Sequence, residues 1–325
     1  MRKYSVIITA RNSEDSSTAL KSLVELKYVS TGIEVITAIG KQPSLQRNEA
    51  AKVATGEYLL FIDNDSVVHP RLLQYYDDAL SYESGIGIVG GPAHFRSTSK
   101  NFKAAIQAFF DSAFGMGPFR ARYSSIGRVR ASSERELILC NMVIRRDLFL
   151  AEGGFNLELY PNEENEFLNR VQHQTKIYYH PLAICYREPE KNIFLFAKQI
   201  LNYGAGRSKH LLLFPQFWNH IFLLPLVFFL YCLGLLTFAT EFSTMSGYLF
   251  LPIFLYLVFS IAASAFACLT KKNSRLLILL PPVLLLGHFF YGMGFLIGSI
   301  RYLFPKIRNA TQVEISLLKS FEKDW

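Results

Sequence analysis

The sequence contains no Cys-x-x-Cys pair. Its four cysteines, Cys140, Cys185, Cys232 and Cys268, are scattered over 325 residues, which excludes a thiolate zinc site and a disulfide framework. Histidine is equally unhelpful as a ligand: His69, His94, His173, His180 and His288 show no metal-ligand spacing and are read as structural. Charge is scarce at 18% of residues, and there is no acidic excess, the formal net charge being +8. A basic balance suits anionic lipid headgroups as well as nucleic acid. No basic stretch is interleaved with a recognisable aromatic motif, which counts against nucleic acid. Internal repeats and low-complexity tracts are absent. The apolar run ahead of Arg11 is too short for a secretory signal, so the first part of the chain is expected to stay in the cytoplasm.

What is abundant is apolar. Half the residues are hydrophobic and 28 are phenylalanine, a composition that points to membrane segments. Phe217 to Ala239 and Tyr248 to Leu269 are uncharged apart from His220, and each is long enough to span a bilayer. Leu276 to Leu303 is a third apolar stretch, interrupted by Pro281-Pro282 and His288. The loop 240–247 has no Lys or Arg, whereas Lys271, Lys272 and Arg275 fill the next one. The positive-inside rule places that basic loop, and the N-terminal domain with it, in the cytoplasm. A complete third crossing puts Lys306, Arg308 and Lys319 outside, against the rule; the alternative is a re-entrant third segment. Ahead of these, Ile193 to Leu213 has apolar residues at helical spacing and suits either a helix in the membrane interface or an ordinary surface helix.

The first half reads differently. Tyr4 to Thr9, Ile33 to Ala38 and Tyr58 to Ile62 are short apolar or β-branched runs. They alternate with helical segments near 13–26 and 45–54, for which Ser13 or Asp15, and Ser44, are the expected caps. That is the pattern of a doubly wound α/β sheet. The expected organisation is a catalytic domain over 1–190, an interfacial helix and linker over 191–215, a transmembrane region over 216–304 and a tail over 305–325. From Gly115 to Arg135 five arginines, Arg120, Arg122, Arg128, Arg130 and Arg135, face only Glu134; the stretch reads as a solvated loop or as a mobile basic lid.

The buried-strand run Tyr58-Leu59-Leu60-Phe61-Ile62 ends abruptly in Asp63-Asn64-Asp65. Two carboxylates two residues apart repel unless something neutralises them. Ligands of open α/β sheets bind at the carboxyl ends of strands. Paired oxygens there suit a divalent cation, Mg2+ or Mn2+, bridging to phosphate. The plainer alternative is a polar loop with Ser66 capping the next helix.

Five motifs occur in order: Val6-Ile7-Ile8-Thr9-Ala10-Arg11-Asn12; Pro43-Ser44-x-x-Arg47-Asn48; Asp63-Asn64-Asp65; Gly153-Gly154-Phe155; and Glu163-Glu164-x-Glu166. Together they resemble family 2 glycosyltransferases with the GT-A fold, across about residues 4 to 190. Tyr203-Gly204-Ala205-Gly206-Arg207 and His288-x-x-Tyr291-Gly292-x-Gly294 resemble the membrane-anchored, succinoglycan-type subgroup. The resemblance implies roles. Thr9, Ala10 and Arg11 line a nucleotide pocket, and Arg47 approaches the nucleotide or its diphosphate. Asp63 and Asp65 hold nucleotide and metal, and Arg207 closes over the diphosphate. Gly153, Gly154, Phe155 and Glu163 belong to the acceptor and sugar side, and Glu164 is the general base. Two departures stand out. Ile39 occupies the second-strand position where the family usually has Asp, leaving Glu14 or Asp15 as substitutes, and Glu164 replaces the commoner Asp.

The implied activity is a metal-dependent inverting transfer of a sugar from a nucleotide-diphosphate donor to a hydroxyl of a lipid-linked saccharide. It takes place at the cytoplasmic face of the cell membrane, in envelope or exported glycan synthesis. One alternative is a polyprenyl-phosphate glycosyltransferase, whose acceptor is already ionised and needs no base. The other, of a different class, is a non-catalytic membrane nucleotide-binding or transport protein; three apolar segments without an intramembrane acid or Lys make a poor transport path.

Overall fold

The computed structural model describes residues 3–12, 14–28, 32–96, 101–238, 246–304 and 314–321. The chain divides into two compact units. Unit 1 takes in residues 1–96, 121–188 and 307–325; unit 2 takes in 97–120 and 189–306.

Unit 1 is an α/β layer structure. Its strands are β1 (Tyr4–Ala10), β2 (Ile33–Ile39), β3 (Tyr58–Asp63), β4 (Val67–Val68), β5 (Ile86–Gly90), β6 (Ala93–Phe95), β7 (Arg130–Ala131), β8 (Asn141–Arg145), β9 (Lys176–Tyr179), β10 (Cys185–Arg187) and β11 (Glu314–Phe321). Its helices are α1 (Ser17–Val24), α2 (Pro43–Val53), α3 (Leu72–Leu80), α6 (Arg146–Ala151) and α7 (Glu163–Val171). Eight strands form one sheet in the order β11-β2-β1-β3-β8-β5-β9-β7, and β4-β10-β6 form a small second sheet. β2, β1 and β3 run parallel as expected. The sheet is nevertheless mixed, because β8 lies antiparallel between β3 and β5. β1 is buried along its whole length, as a strand covered on both faces must be.

Ser44 and Asp15 are not the caps used. α2 starts two residues earlier than Ser44 allows, with Pro43 in its first turn, where a missing N–H costs nothing. α1 starts at Ser17 after a 3-10 turn over Glu14–Ser16; Ser13 lies outside the described residues. α3 begins at Leu72, six residues past Ser66, so Ser66 is no cap either.

The core below the sheet is aromatic. Phe61 of β3, Phe149 of α6, Phe167 of α7 and Phe155 pack with ring centroids 4.9 to 5.5 Å apart. All four are 2% exposed or less.

Unit 2 is helical: α4 (Phe102–Asp111), α5 (Ala113–Met116), α8 (Ile193–Leu213), α9 (Leu224–Phe238), α10 (Ser246–Leu249), α11 (Leu251–Lys271) and α12 (Leu276–Leu303). Three segments are long and apolar enough to cross a membrane: His220–Thr237, Gly247–Lys271 and Leu276–Leu303. Residues 239–245 and most of the tail 305–325 lie outside the described residues. α12 is continuous through Pro281 and Pro282. The bonds these prolines forgo are to carbonyls of the helix's first turn, so the damage stays at one end. α8 packs along α12 through small residues. A Cβ on Gly204 would sit 2.2 Å from the Tyr291 carbonyl oxygen, and one on Gly294 would sit 2.1 Å from that of Leu201. The glycines read as family motifs are thus what lets two helix backbones meet. The basic turn after α11 is tied back to α4: Lys271 pairs with Asp111, and Arg275 Nη1 donates to Asn101 Oδ1 at 2.6 Å.

Phe155→Ala is expected to destabilise the protein by about 3–5 kcal/mol, measured by chemical denaturation. A loss under about 1 kcal/mol contradicts a tightly packed aromatic core.

Candidate active site

The site lies where β1, β2 and β3 end. Thr9 pairs with Asp63 across β1 and β3, and Ala10 with Ile39 across β1 and β2. Arg11 follows in solvent. The substitution at Ile39 therefore falls at a strand end beside Ala10. Asp15 is exposed nearby in sequence, its N–H bonded to Asn12 Oδ1 at 3.0 Å. The Glu14 side chain is outside the described residues.

α2 explains why one short motif organises this region. Arg47, Ala50, Ala51 and Ala54 form its buried stripe, at the spacing of one helix face. Three consecutive residues then do three jobs. Gln46 Nε2 donates to the carbonyls of Ala10 and Ala38, at 2.9 and 2.6 Å, tying β1 to β2 where they end. Arg47 reaches Asp63 Oδ1 at 3.1 Å and Glu163 Oε1 at 2.8 Å. Asn48 accepts from the Phe155 N–H at 2.9 Å and donates to its carbonyl at 2.8 Å. Gly153 and Gly154 both have φ of +74°, and a Cβ on Gly154 would lie 2.5 Å from Asn48 Oδ1. Only glycine fits that turn.

The expectation that Phe155 touches acceptor is corrected here, since its ring is in the aromatic core. The Gly-Gly-Phe turn works as a latch between α2 and the segment leading to α7. Arg170 of α7 fastens it further, donating to the Gly154 carbonyl at 2.8 Å.

The three acids of α7 have three different partners. Glu163 pairs with Arg47. Glu164 lies 3.7 Å from Arg122 Nη1. Glu166 pairs with Arg170 at 2.7 Å. Glu163 is 2% exposed, and burial pushes its carboxyl up to about 8 against the opposing attraction of Arg47. Glu164 sits at the edge of the site at 9% exposure.

Sequence reasoning misplaced two arginines and missed a third. Arg122, counted among the lid residues, is buried and bonded to Asn165 Oδ1 and the Glu134 carbonyl as well as lying beside Glu164. Arg130 is likewise held, by Glu136 at 2.5 Å and over the Tyr179 ring at 4.5 Å. These two are parts of unit 1, not of a mobile lid. Arg187 was not singled out at all. It reaches both Asp63 Oδ2 and Asp65 Oδ2 at 3.4 Å. β10 pairs antiparallel with β4 directly after Asp65, and that pairing, invisible in sequence, delivers it. Arg207 belongs to unit 2. It is buried on α8 with its guanidinium 4.2 Å from the Phe222 ring centroid.

Among the described residues no group of three or more His, Cys, Asp or Glu side chains converges to hold a metal. Asp63 and Asp65 offer a two-carboxylate set, with Asp65 half exposed. Such a set fits Mg2+ or Mn2+, which keep waters and take phosphate oxygens for the remaining positions.

The unit is a mixed α/β sheet with acids and arginines gathered at the strand ends. Residues 2–151 match the family described as Glycosyl transferase family 2. The chain therefore carries a glycosyl transferase family 2 domain. Asp63, Asp65 and Arg47 fall inside the matched residues; Glu163, Glu164, Arg187 and Arg207 fall outside. A poly(ribitol-phosphate) beta-glucosyltransferase of Bacillus spizizenii is 32% identical over 84 residues, which is 26% of this chain and 13% of that protein. The chain thus spans about an eighth of the curated relative's length. The mannosyltransferase PcManGT of Pyrobaculum calidifontis, solved with GDP-Man and Mn2+, shares the fold. The TM-score is 0.52 at 13% identity, covering 92% of this chain and 88% of that one. TarS 1-349 of S. aureus, solved with UDP-GlcNAc, aligns with a TM-score of 0.44 at 14% identity, over 93% and 91% of the two chains.

Because folding raises the Glu163 pKa, its contribution to stability is fully present below the ordinary carboxylate range and is lost as pH rises through about 8. Glu163→Gln removes that dependence. Thermal unfolding across pH 5 to 9 is expected to show wild type losing ground to the variant as pH rises; parallel curves contradict the assignment.

Proposed function

We propose that the protein is a membrane-anchored, metal-dependent inverting glycosyltransferase. It transfers a sugar from a nucleotide-diphosphate donor to a hydroxyl of a lipid-linked saccharide. The observation that carries this reading is the Arg47 bridge between Asp63 and Glu163. One side chain brings the strand-end acids, where a donor diphosphate is handled, next to the acid-rich start of α7. The poly(ribitol-phosphate) glucosyltransferase relative adds support for a cell-envelope polymer as product.

In this reading Thr9, Ala10 and Arg11 border the nucleotide, Asp63 and Asp65 hold the divalent cation, and Arg47 orients Asp63. The cation, when bound, supplies positive charge to the leaving diphosphate. Glu164 takes the proton from the acceptor hydroxyl as that oxygen attacks the anomeric carbon and the diphosphate leaves from the opposite face. Arg122 beside Glu164 holds its carboxylate in place. Glu163, buried and already engaged by Arg47, is poorly suited to the same task. Arg207 takes up leaving-group charge.

The apolar helices support a lipid-linked acceptor, since an enzyme held at the bilayer meets such a substrate at high local concentration. The basic turn at Lys271–Arg275 supports a catalytic unit on the cytoplasmic side of the inner membrane.

Three measurements test these points. Glu164→Gln is expected to lower transfer by two orders of magnitude or more, within the range of about 10²–10⁴ for a positioned base, with donor affinity unchanged. If Glu164→Gln and Glu163→Gln both transfer normally, the acceptor is an ionised phosphate instead. Asp65→Asn is expected to abolish turnover in folded protein, and full wild-type activity in excess chelator contradicts a metal role. In intact cells a cysteine at Ser243 is expected to label from outside, whereas one at Asn273 stays protected; the opposite pattern reverses the orientation.

A further inference from the structure

We propose that Arg187 is a built-in counter-cation of the Asp63–Asp65 pair, that a divalent metal displaces it, and that the released guanidinium turns to the diphosphate of the donor. This rests on the reading of the two aspartates as the metal site.

Three carboxylate oxygens of the pair face two guanidiniums. Asp63 Oδ1 takes Arg47, while Asp63 Oδ2 and Asp65 Oδ2 take the two Nη atoms of Arg187. The two arginines are held differently. Arg47 is 6% exposed at its side chain, with contacts of 2.8 and 3.1 Å, one of them to buried Glu163. Arg187 is 21% exposed, and its two ion pairs both measure 3.4 Å, with Nη1 also 4.0 Å from Cys140 Sγ. Its partner Asp65 is 52% exposed. Arg47 is therefore the fixed cation and Arg187 the yielding one.

Backbone geometry makes the position of Arg187 reproducible. Cys185 pairs with Val68 and Tyr186 with Val67, so the next antiparallel step sets Arg187 beside the residues just before β4. The same strand pairs on its other edge with β6, Arg187 opposite Phe95. A three-residue strand held on both edges keeps the Arg187 backbone in place while its long side chain swings.

The electrostatic argument follows. Two carboxylates two residues apart need positive charge whether or not a metal is bound. Arg187 supplies it in the protein alone. A divalent cation held by those oxygens would take the lone pairs that Arg187 uses, so the two would compete. The displaced guanidinium stays tethered within side-chain reach of the same place. Its planar fork matches the oxygens of a phosphate. The exchange moves no proton and breaks no covalent bond; it trades one ionic partner for another. Without nucleotide Arg187 opposes the metal, and with nucleotide it supports the ternary complex. Metal and donor then bind with positive coupling, which holds the cation weakly until the diphosphate arrives.

The test is a binding measurement that needs no turnover. Mn2+ is titrated into full-length protein in detergent and followed by electron paramagnetic resonance, for wild type, Arg187→Gln, Arg187→Lys and Asp65→Asn. UDP and GDP are then titrated at saturating Mn2+ by calorimetry. Arg187→Gln is expected to bind Mn2+ about fivefold more tightly or better, and to bind the nucleoside diphosphate that wild type prefers more weakly by a similar factor. Arg187→Lys, which keeps charge without the fork, is expected to fall between. Unchanged or weaker Mn2+ binding by Arg187→Gln overturns the proposal while Asp65→Asn still abolishes that binding, and the metal site itself then stands. If Mn2+ binds wild type and Asp65→Asn alike, the metal reading fails and this inference falls with it. Unchanged nucleotide affinity in Arg187→Gln removes the second half of the exchange and also overturns the proposal.

Discussion

A buried guanidinium shared by two carboxylates is the constraint on which the catalytic unit depends. Arg47 lies on the apolar stripe of α2, between Asp63 at the end of a central strand and Glu163 at the start of α7. Removing one member of such a buried group typically costs about 3–5 kcal/mol, because the remaining charge is left without a partner. The arrangement also fixes geometry. The end of β3, the middle of α2 and the first turn of α7 cannot move independently while Arg47 spans them. Gln46 and Asn48, its neighbours in sequence, bind β1, β2 and the Gly153-Gly154 turn to the same helix. Three adjacent polar residues on one helix thus register every segment that contributes to the site.

Much of this was legible in the chain, for reasons that can be named. The apolar run 58–62 cut off by Asp63 is a buried strand ending at a polar site, and Arg47 came with the Pro43-Ser44-x-x-Arg47-Asn48 motif of the family resemblance. Strand direction was not legible: hydrophobic periodicity carries no arrow, so β8 entered an expected parallel sheet running the other way. Nor was Arg187, which is 122 residues from Asp65 and reaches it only through the pairing of two very short strands. Arg122 was counted with its basic neighbours as part of a loop or lid, because sequence shows charge density and not burial. Phe155 was read as a ligand contact since it travels with two glycines, yet the glycines serve the turn and the ring fills the core.

The helical unit teaches a related lesson. Tyr203-Gly204-Ala205-Gly206-Arg207 and Tyr291-Gly292-x-Gly294 resemble markers of a membrane-anchored subgroup, and the structure gives them a mechanical meaning. Gly204 and Gly294 are where α8 and α12 approach until backbone meets backbone, and Gly292 faces the Pro225 carbonyl of α9. Small residues serve this purpose wherever helices associate without a hydrophobic driving force between them. α12 is as apolar as a membrane span, but about a third of it is covered by protein. Its composition therefore answers to helix packing as well as to hydropathy.

The account centres on a nucleoside diphosphate held at the carboxyl end of β3. Calorimetric titration of the purified chain with UDP and GDP in the presence of Mn2+, alongside Asp63→Asn, tests this most directly. The account predicts binding of one of the two nucleotides by wild type and a loss of at least about tenfold in the variant. Binding that is indifferent to Asp63, or none by wild type to either nucleotide, contradicts it.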